Sequence, residues 1–526
     1  MRGDDELLEL LGEMASNNNL DEDSSDESRG SSGKPSGVKR DWSGRPVKAA
    51  TERTEPNKSL IWNPHARADI DLEWTALRKG SGLSRGSSPQ AELTRHQAIS
   101  SIKARFKALC IEIGQQLPSK HLENWIFAQK LKEGAGGDPL VPLVSASSVD
   151  ASLLKELCSR GVKKGDARNV CRELNRAAIS ASKAMRKQLR SHTHAGKVVV
   201  KRDALGQDKS GDVGGHCHGD DLSPLLVTCG GHSLRINSAH YHKLRQLYGE
   251  YSGNGSADTP GFHSALFSLL MRYESLQGGG FQAAVMGSTF DVLRDQLGVA
   301  LECFASPLNC RYSRYCSAFL DTDAAFGSIG SFFNFHPTHG SFQANPPFVH
   351  EVILRMAEHI DALLCEATGP MLFVVIIPSW DHLSSWQALH QSKFMLHHIK
   401  LNQADHGYCE GKQQLRRSRF KVASFDTSLF YMANAAGEAL WPWSEKVETS
   451  ITQSFVSKQK DEVEQGSERK VTKKLPRKDG EGRKVKAVSG GIDAKGVPGH
   501  HAPSYIQGGH QGARAQKKQK RRRTSC

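Results

Sequence analysis

Ser341-Phe342-Gln343-Ala344 runs directly into Asn345-Pro346-Pro347-Phe348, and His350–Cys365 follows with apolar residues at helical spacing. Two successive prolines fix φ and withdraw two backbone donors, so a strand ending at Ala344 cannot continue through them. Strand, stiff turn and helix in that order place the tetrapeptide at a strand's carboxyl end, the edge at which open α/β sheets bind ligands. The plainer reading is a Pro-rich turn with Asn345 as a helix cap, but capping does not call for both prolines and the aromatic.

Outward from this point, strands are expected at Leu225–Thr228, Val299–Phe304, Gly340–Ala344 and Met371–Ile377, with a late pair near Met395–Leu401 and Val422–Met432. Helices are expected at His240–Tyr248 and His263–Tyr273. Buried apolar strands separated by helices predict a mostly parallel α/β sheet. Further upstream, Ile99, Ile102, Phe106, Leu109 and Ile113 recur at three- and four-residue steps, and Leu122, Trp125, Ile126 and Leu131 form a second apolar group. The chain thus divides into a disordered acidic and polar arm (1–90), a helical region with a Gly/Asp-rich loop (91–224), a sheet domain (225–445) and a disordered basic tail (446–526).

Charge follows the same divisions. The 526 residues carry a net +14, yet residues 446–526 alone hold 20 Lys and Arg against 8 Asp and Glu, so the rest of the chain is nearly neutral. The tail ends in Lys517-Lys518-Gln519-Lys520-Arg521-Arg522-Arg523, which reads as a nuclear-localisation or nucleic-acid patch and points to the nucleus. Arg168, Arg172, Arg176, Lys183, Arg186, Lys187 and Arg190 crowd one helical segment, either as a solvated face or as a nucleic-acid-facing one. Eleven scattered cysteines lack the spacing of a disulfide scaffold, and no apolar run approaches a membrane span, so secretion and membrane insertion are not expected. Trp42 and Trp62 invite a WW-domain reading but lack the tyrosine pair between them. His216, Cys217, His218, Cys229 and His232 fit no closed zinc spacing, and Gly230-Gly231 reads as a turn between short strands, so no metal is expected.

The tetrapeptide has a chemical logic. The lone pair of an adenine N6 is delocalised into the ring, so the amine is a poor nucleophile unless acceptors hold its hydrogens. The Asn345 amide oxygen and the Pro346 carbonyl can accept both, favouring a pyramidal nitrogen aimed at an electrophilic methyl group. Phe348 offers a face for an extruded base, worth about 1–3 kcal/mol. A methyl donor needs a loop at a neighbouring strand end. Glu302-Cys303-Phe304-Ala305-Ser306-Pro307-Leu308-Asn309 supplies small residues there, Asp321 and Asp323 offer carboxylates for ribose hydroxyls, and Gly278-Gly279-Gly280-Phe281-Gln282 precedes both.

Ala300–Cys310, Tyr315–Phe319, Asp321-Thr322-Asp323, Phe326-Gly327-Ser328 and Gly340–Phe348 closely resemble the phosphorylated-CTD-interacting-factor family of cap-specific adenosine N6-methyltransferases. Weaker similarity reaches back to Ser233–Tyr248 and forward through Ile376–Trp380 and Gln391–Phe394 to about Trp443. The resemblance implies a Rossmann-like class I S-adenosylmethionine-dependent methyltransferase domain with an N-terminal helical domain. It also implies methyl transfer to N6 of a 2′-O-methyladenosine beside the 7-methylguanosine cap of mRNA, with capped RNA and the RNA-polymerase-II transcription machinery as partners. By motif it makes Asn345, Pro346, Pro347 and Phe348 catalytic. Gly280, Phe281 and Gln282 would line S-adenosylmethionine together with Glu302, Phe304, Ala305, Ser306, Pro307, Leu308 and Asn309, and Asp321 and Asp323 are further candidates. The residues alone leave two alternatives open: an N6-adenine methyltransferase on internal RNA or DNA, and a catalytically silent RNA-binding scaffold.

Overall fold

A computed structural model describes residues 86–455 except 116, 134–136, 192–195, 204–223, 254–257, 277–282, 410 and 416–419. The acidic arm up to residue 85, Trp42 and Trp62, the His216–His218 group and the tail beyond 455 lie outside the described residues.

Ser88 caps the first helix, α1 (Pro89–Glu112), by accepting from the Ala91 N–H, and Pro89 sits in its first turn, where a missing donor costs nothing. The apolar stripe is buried as its spacing predicts: Ile99, Ile102, Phe106 and Leu109 face inward. Leu122, Trp125 and Ile126 do the same on α2 (Lys120–Glu133). Next come α3 (Ala151–Ser159) and the long α4 (Lys164–Arg190), which packs on both α1 and α3. A small antiparallel sheet of β1 (Val199–Arg202), β2 (Pro224–Cys229) and β3 (His232–Asn237) follows. Its β2–β3 turn uses Gly230 and Gly231 at φ +55° and +79°, as their pairing suggests. Helices α5 (Ser238–Tyr251) and α6 (Thr259–Leu276) complete this half.

The second half begins with α7 (Gly287–Leu297), stopped by Gly298 at φ +65°, where a Cβ would stand 2.4 Å from the Trp441 indole nitrogen. Then come β4 (Leu301–Ala305), β5 (Tyr315–Ser317), the short α8 (Leu320–Asp323), β6 (Gly340–Ala344), α9 (His350–Glu366) and β7 (Met371–Pro378). They are followed by α10 (Ser384–His390), β8 (Met395–Leu401), β9 (Gly407–Cys409), β10 (Phe420–Val422), β11 (Thr427–Ala433), α11 (Ala435–Leu440) and α12 (Glu445–Phe455). A mixed six-stranded sheet takes the order β5-β4-β6-β7-β11-β8, with β5, β4, β6 and β7 parallel and β11 antiparallel to both neighbours. From β4 the chain steps to β5 on one side, then crosses to β6 on the other, so the order reverses between β4 and β6. β6 and β7 are buried at every residue. One face of the sheet packs on α9 through Ile353, Met356 and Ile360, and the other on α7 and α12 through Phe290, Leu293, Ile451 and Phe455.

The expected strands at Gly340–Ala344 and Met395–Leu401 appear at those bounds, whereas Val422–Met432 divides into β10 and β11. Two expected boundaries are displaced. Val447, Ile451 and Phe455 recur at four-residue steps and are buried against the sheet, so the folded body runs past 445. The division at 224/225 falls within one core, since Val227, Ile236, Leu244 and Phe262 pack in the same cluster as α1 to α4.

Candidate active site

Asn345, Pro346, Pro347 and Phe348 leave the carboxyl end of β6 before α9 begins, beside the carboxyl end of β4. Pro346 is buried, and the Val349 N–H closes a tight turn on the Pro347 carbonyl at 2.7 Å. The Asn345 side chain is 9% exposed, and its Nδ2 donates to the Ala283 carbonyl at 3.3 Å. Its Oδ1 is buried and has no hydrogen-bond partner among the described residues. An unpaired buried acceptor costs about 1–3 kcal/mol, so one held at a strand end is most simply reserved for a ligand's donor. The Pro346 carbonyl likewise takes no backbone hydrogen bond among the described residues. Two acceptors therefore stand free on adjacent residues of a stiff turn.

Phe348 is half-buried and meets Phe425 edge-on at 5.4 Å and Tyr408 at 6.3 Å; Phe425 in turn meets Trp380 at 6.2 Å. The Tyr408 hydroxyl lies 2.6 Å from Thr427 Oγ1, and burial holds that phenol neutral, far above its ordinary pKa. The base-sized platform at Phe348 is thus one wall of an aromatic cluster. Trp380 enters it from just past β7 and Phe425 from just before β11. Sequence reasoning assigned neither to the site, although both sit at strand ends, where such residues act.

Gly280, Phe281 and Gln282 lie outside the described residues. Ala283, which follows them, carries the carbonyl bonded to Asn345, and Ala284 exchanges two backbone hydrogen bonds with Cys409 at 3.1 and 2.7 Å. The chain leaving the Gly-rich segment is therefore tied to the tetrapeptide.

At β4, Phe304 and Ala305 are half-buried, and the Phe304 ring meets that of Phe332 at 5.2 Å, tilted by 54°. Ser306 to Asn309 fold into a buried turn in which Asn309 Oδ1 accepts from both the N–H and the hydroxyl of Ser306, at 2.7 and 2.9 Å. Two side chains of α5 brace it from outside: His240 Nε2–H donates to the Leu308 carbonyl and Lys243 Nζ to the Cys310 carbonyl, each at 3.2 Å. Glu302 points inward and accepts from the Arg311 and Tyr312 N–H groups at 2.7 and 3.1 Å. Burial pushes its carboxyl up to about 7. Phe304 and Ala305 thus turn to opposite sides at the end of β4, the one toward Phe332 and the other toward the helical half, whereas Glu302, Leu308 and Asn309 shape the loop from within.

Asp321 and Asp323 follow β5, but both carboxylates are already engaged. Arg272, fully buried on α6, holds Asp321 at 3.0 and 2.7 Å and Glu92 of α1 at 2.7 and 2.6 Å. Burial would raise the Asp321 carboxyl, yet the guanidinium outweighs it and holds it below the usual range. Asp323 is inaccessible, accepts from the Tyr273 hydroxyl at 2.7 Å and the Thr322 hydroxyl at 2.8 Å, and is pushed by burial up to about 7. These acids clamp the end of β5 to the helical half.

A mixed α/β sheet that reverses its order between β4 and β6, with an Asn-Pro-Pro-Phe turn at that point, is compatible with a methyltransferase fold. The comparisons agree. The family model described as the phosphorylated CTD interacting factor 1 WW domain matches residues 243–411. The mRNA (2′-O-methyladenosine-N(6)-)-methyltransferase of Mus musculus is 26% identical over 496 residues, covering 74% of this chain and 70% of its own. Its Homo sapiens counterpart is 26% identical over 480 residues, covering 71% and 68%. The chain is thus similar to this family across most of its length, as the motifs predicted. The family model's WW label falls on α5 to β9 and not on Trp42 and Trp62.

Proposed function

We propose that this chain is an S-adenosylmethionine-dependent methyltransferase acting on N6 of adenosine, in its natural substrate the 2′-O-methyladenosine beside the 7-methylguanosine cap of mRNA. The observation that carries the reading is the buried Asn345 Oδ1, without a hydrogen-bond partner among the described residues, beside the Pro346 carbonyl, which takes no backbone hydrogen bond among them, and two residues before the stacking face of Phe348. The two acceptors take both N6 hydrogens, pyramidalising the nitrogen and turning its lone pair toward the methyl donor. Phe348, with Phe425 behind it, holds the base in plane. S-adenosylmethionine, when bound, supplies the electrophilic methyl group. Phe304 and Ala305 stand at the end of β4, beside the place where it would lie, and the parallel strands reversing order at β4 and β6 support a Rossmann-like class I domain. After transfer the nitrogen is cationic and releases its proton to water, so no side chain with a shifted pKa is required.

The similarity to the mouse and human mRNA methyltransferases supports the substrate. The terminal basic run supports nuclear localisation, and the family model's name supports contact with the phosphorylated polymerase tail. The test is methylation of adenosine-start oligonucleotides, capped and uncapped, with isotopically labelled cofactor. N6-labelled product that depends on the cap and disappears in Asn345→Ala is the expected result. Equal labelling without the cap moves the substrate to internal adenines, and no labelling at all removes the enzymatic reading.

A further inference from the structure

α4 carries the second feature that points to a ligand. Its buried face is formed by Ala167, Val170, Cys171, Leu174, Ala178 and Met185, which pack on α1 and α3. At about 100° per residue, Arg168, Arg172, Arg176, Lys183, Arg186, Lys187 and Arg190 all fall within an arc of about 100° on the opposite side. All seven are exposed. They form one row about 33 Å long at 1.5 Å per residue. Glu173 pairs with Arg176 at the edge of the row, and no acid lies within it. Arg168, Arg172, Lys183, Arg186 and Lys187 have no ion-pair partner among the described residues.

A solvated helix face normally mixes charges at i, i+4, because like charges at that spacing destabilise a helix by a few tenths of a kcal/mol each. Here Arg168, Arg172 and Arg176, then Lys183 and Lys187, then Arg186 and Arg190, repeat that repulsive spacing, a conformational cost that an anionic partner would remove. The row also leads somewhere. Its carboxyl end reaches a groove of about 1040 Å³ between the starts of α1 and α6, lined by Pro89, Leu189, Val198 and Val200 and flanked by Lys197 and His263. A row of cations ending at an apolar groove beside Lys197 fits a polymer with repeated negative charges and flat, partly apolar side groups.

We infer that the cationic row of α4 and the groove at its end form an exosite for single-stranded RNA, gripping phosphates along the helix and taking one unstacked base into the groove. This rests on RNA being the substrate class but not on catalysis, and binding is measured without cofactor. The probes are fluorescent capped RNAs of four and twenty nucleotides, read by anisotropy against the full-length protein across a salt series. The five-site variant R168Q/R172Q/K183Q/R186Q/K187Q changes only exposed side chains and relieves like-charge pairs, so its thermal midpoint should not fall below the parent's.

For the twenty-nucleotide RNA the exosite predicts a salt slope smaller by about 3.5, at about 0.7 per lost contact, and affinity weaker by at least roughly 30-fold at 100 mM salt. The four-nucleotide RNA should bind both proteins alike. Leu189→Glu, which places a carboxylate in the groove, should also weaken only the longer RNA. An unchanged slope overturns the inference, and so does an equal loss with both lengths. Loss of binding to a phosphoserine peptide with RNA binding intact overturns it too, and makes the row a protein-docking face.

Discussion

Arg272 holds Asp321 with two hydrogen bonds, of 3.0 and 2.7 Å, and gives two more to Glu92, so one buried guanidinium joins α8, just after β5, to α1. Arg272→Ala would strand two carboxylates in a dry environment, and breaking such a cluster costs about 3–5 kcal/mol. Replacing all three members together with Met, Leu and Leu removes the charges as well as the bonds. In denaturant titrations the single variant should be the less stable of the two.

Asn345→Ala removes one of the two acceptors proposed for the amine. Methylation turnover should fall about 10²- to 10³-fold, in line with losing one oriented transition-state contact, while the melting temperature holds. Asn345→Asp keeps an acceptor in place and should retain more turnover than Ala. Activity in the Ala variant within threefold of the parent would contradict the assignment.

Phe348→Ala should weaken RNA far more than cofactor. Losing about 1–3 kcal/mol of stacking corresponds to a rise in KM for RNA of roughly 5- to 150-fold. Phe348→Tyr preserves the ring and should remain close to the parent in steady-state assays.

Glu302 and Asp323 give stability a pH dependence of definite sign. Both are raised to about 7 in the folded chain, above the usual carboxylate range of the unfolded one. Between about pH 4 and 7 the folded state therefore holds more protons, and stability falls as pH rises through that window, levelling off above it. Glu302→Gln should flatten the fall. For a shift of this size the recovered stability at pH 8 is of the order of 3 kcal/mol at most, read as melting temperature against pH.

The end of the folded body is also open to test. Deleting 446–526 removes Val447, Ile451 and Phe455 from the core and should lower the melting temperature sharply, since losing a buried Phe alone costs about 3–5 kcal/mol. Deleting 461–526 spares α12 and should leave the melting temperature unchanged.

Much of the site was legible because its elements are local. Asn345 to Phe348 follow a strand and precede a helix within one short segment, and both periodicities are visible. The strand at Met371–Ile377 could be read because a continuous apolar run buries both its faces. The roles of Asp321 and Asp323 could not be read, because their partners Arg272, Glu92 and Tyr273 lie far away in sequence and only the packing of α1 and α6 brings them together. Trp380 and Phe425 stayed hidden for the same reason: each is an ordinary aromatic until β7 and β11 pair and bring them beside Phe348. α12 was missed although Val447, Ile451 and Phe455 keep helical spacing, since the surrounding Lys- and Gly-rich composition masked three widely spaced apolar residues.

Leu308, Cys310, Phe319 and Phe326 belong to the sheet-bearing half by sequence, yet they are buried in the same cluster as Ile102, Leu174 and Phe262. Neither half has a closed interior without the other. Calorimetry should therefore record a single cooperative transition for residues 86–455, and a protease acting on the native protein should not release a stable helical fragment. During synthesis the helices would emerge first but reach their final packing only after β4 and β5 have left the ribosome, so the amino-terminal half has to wait for its partner.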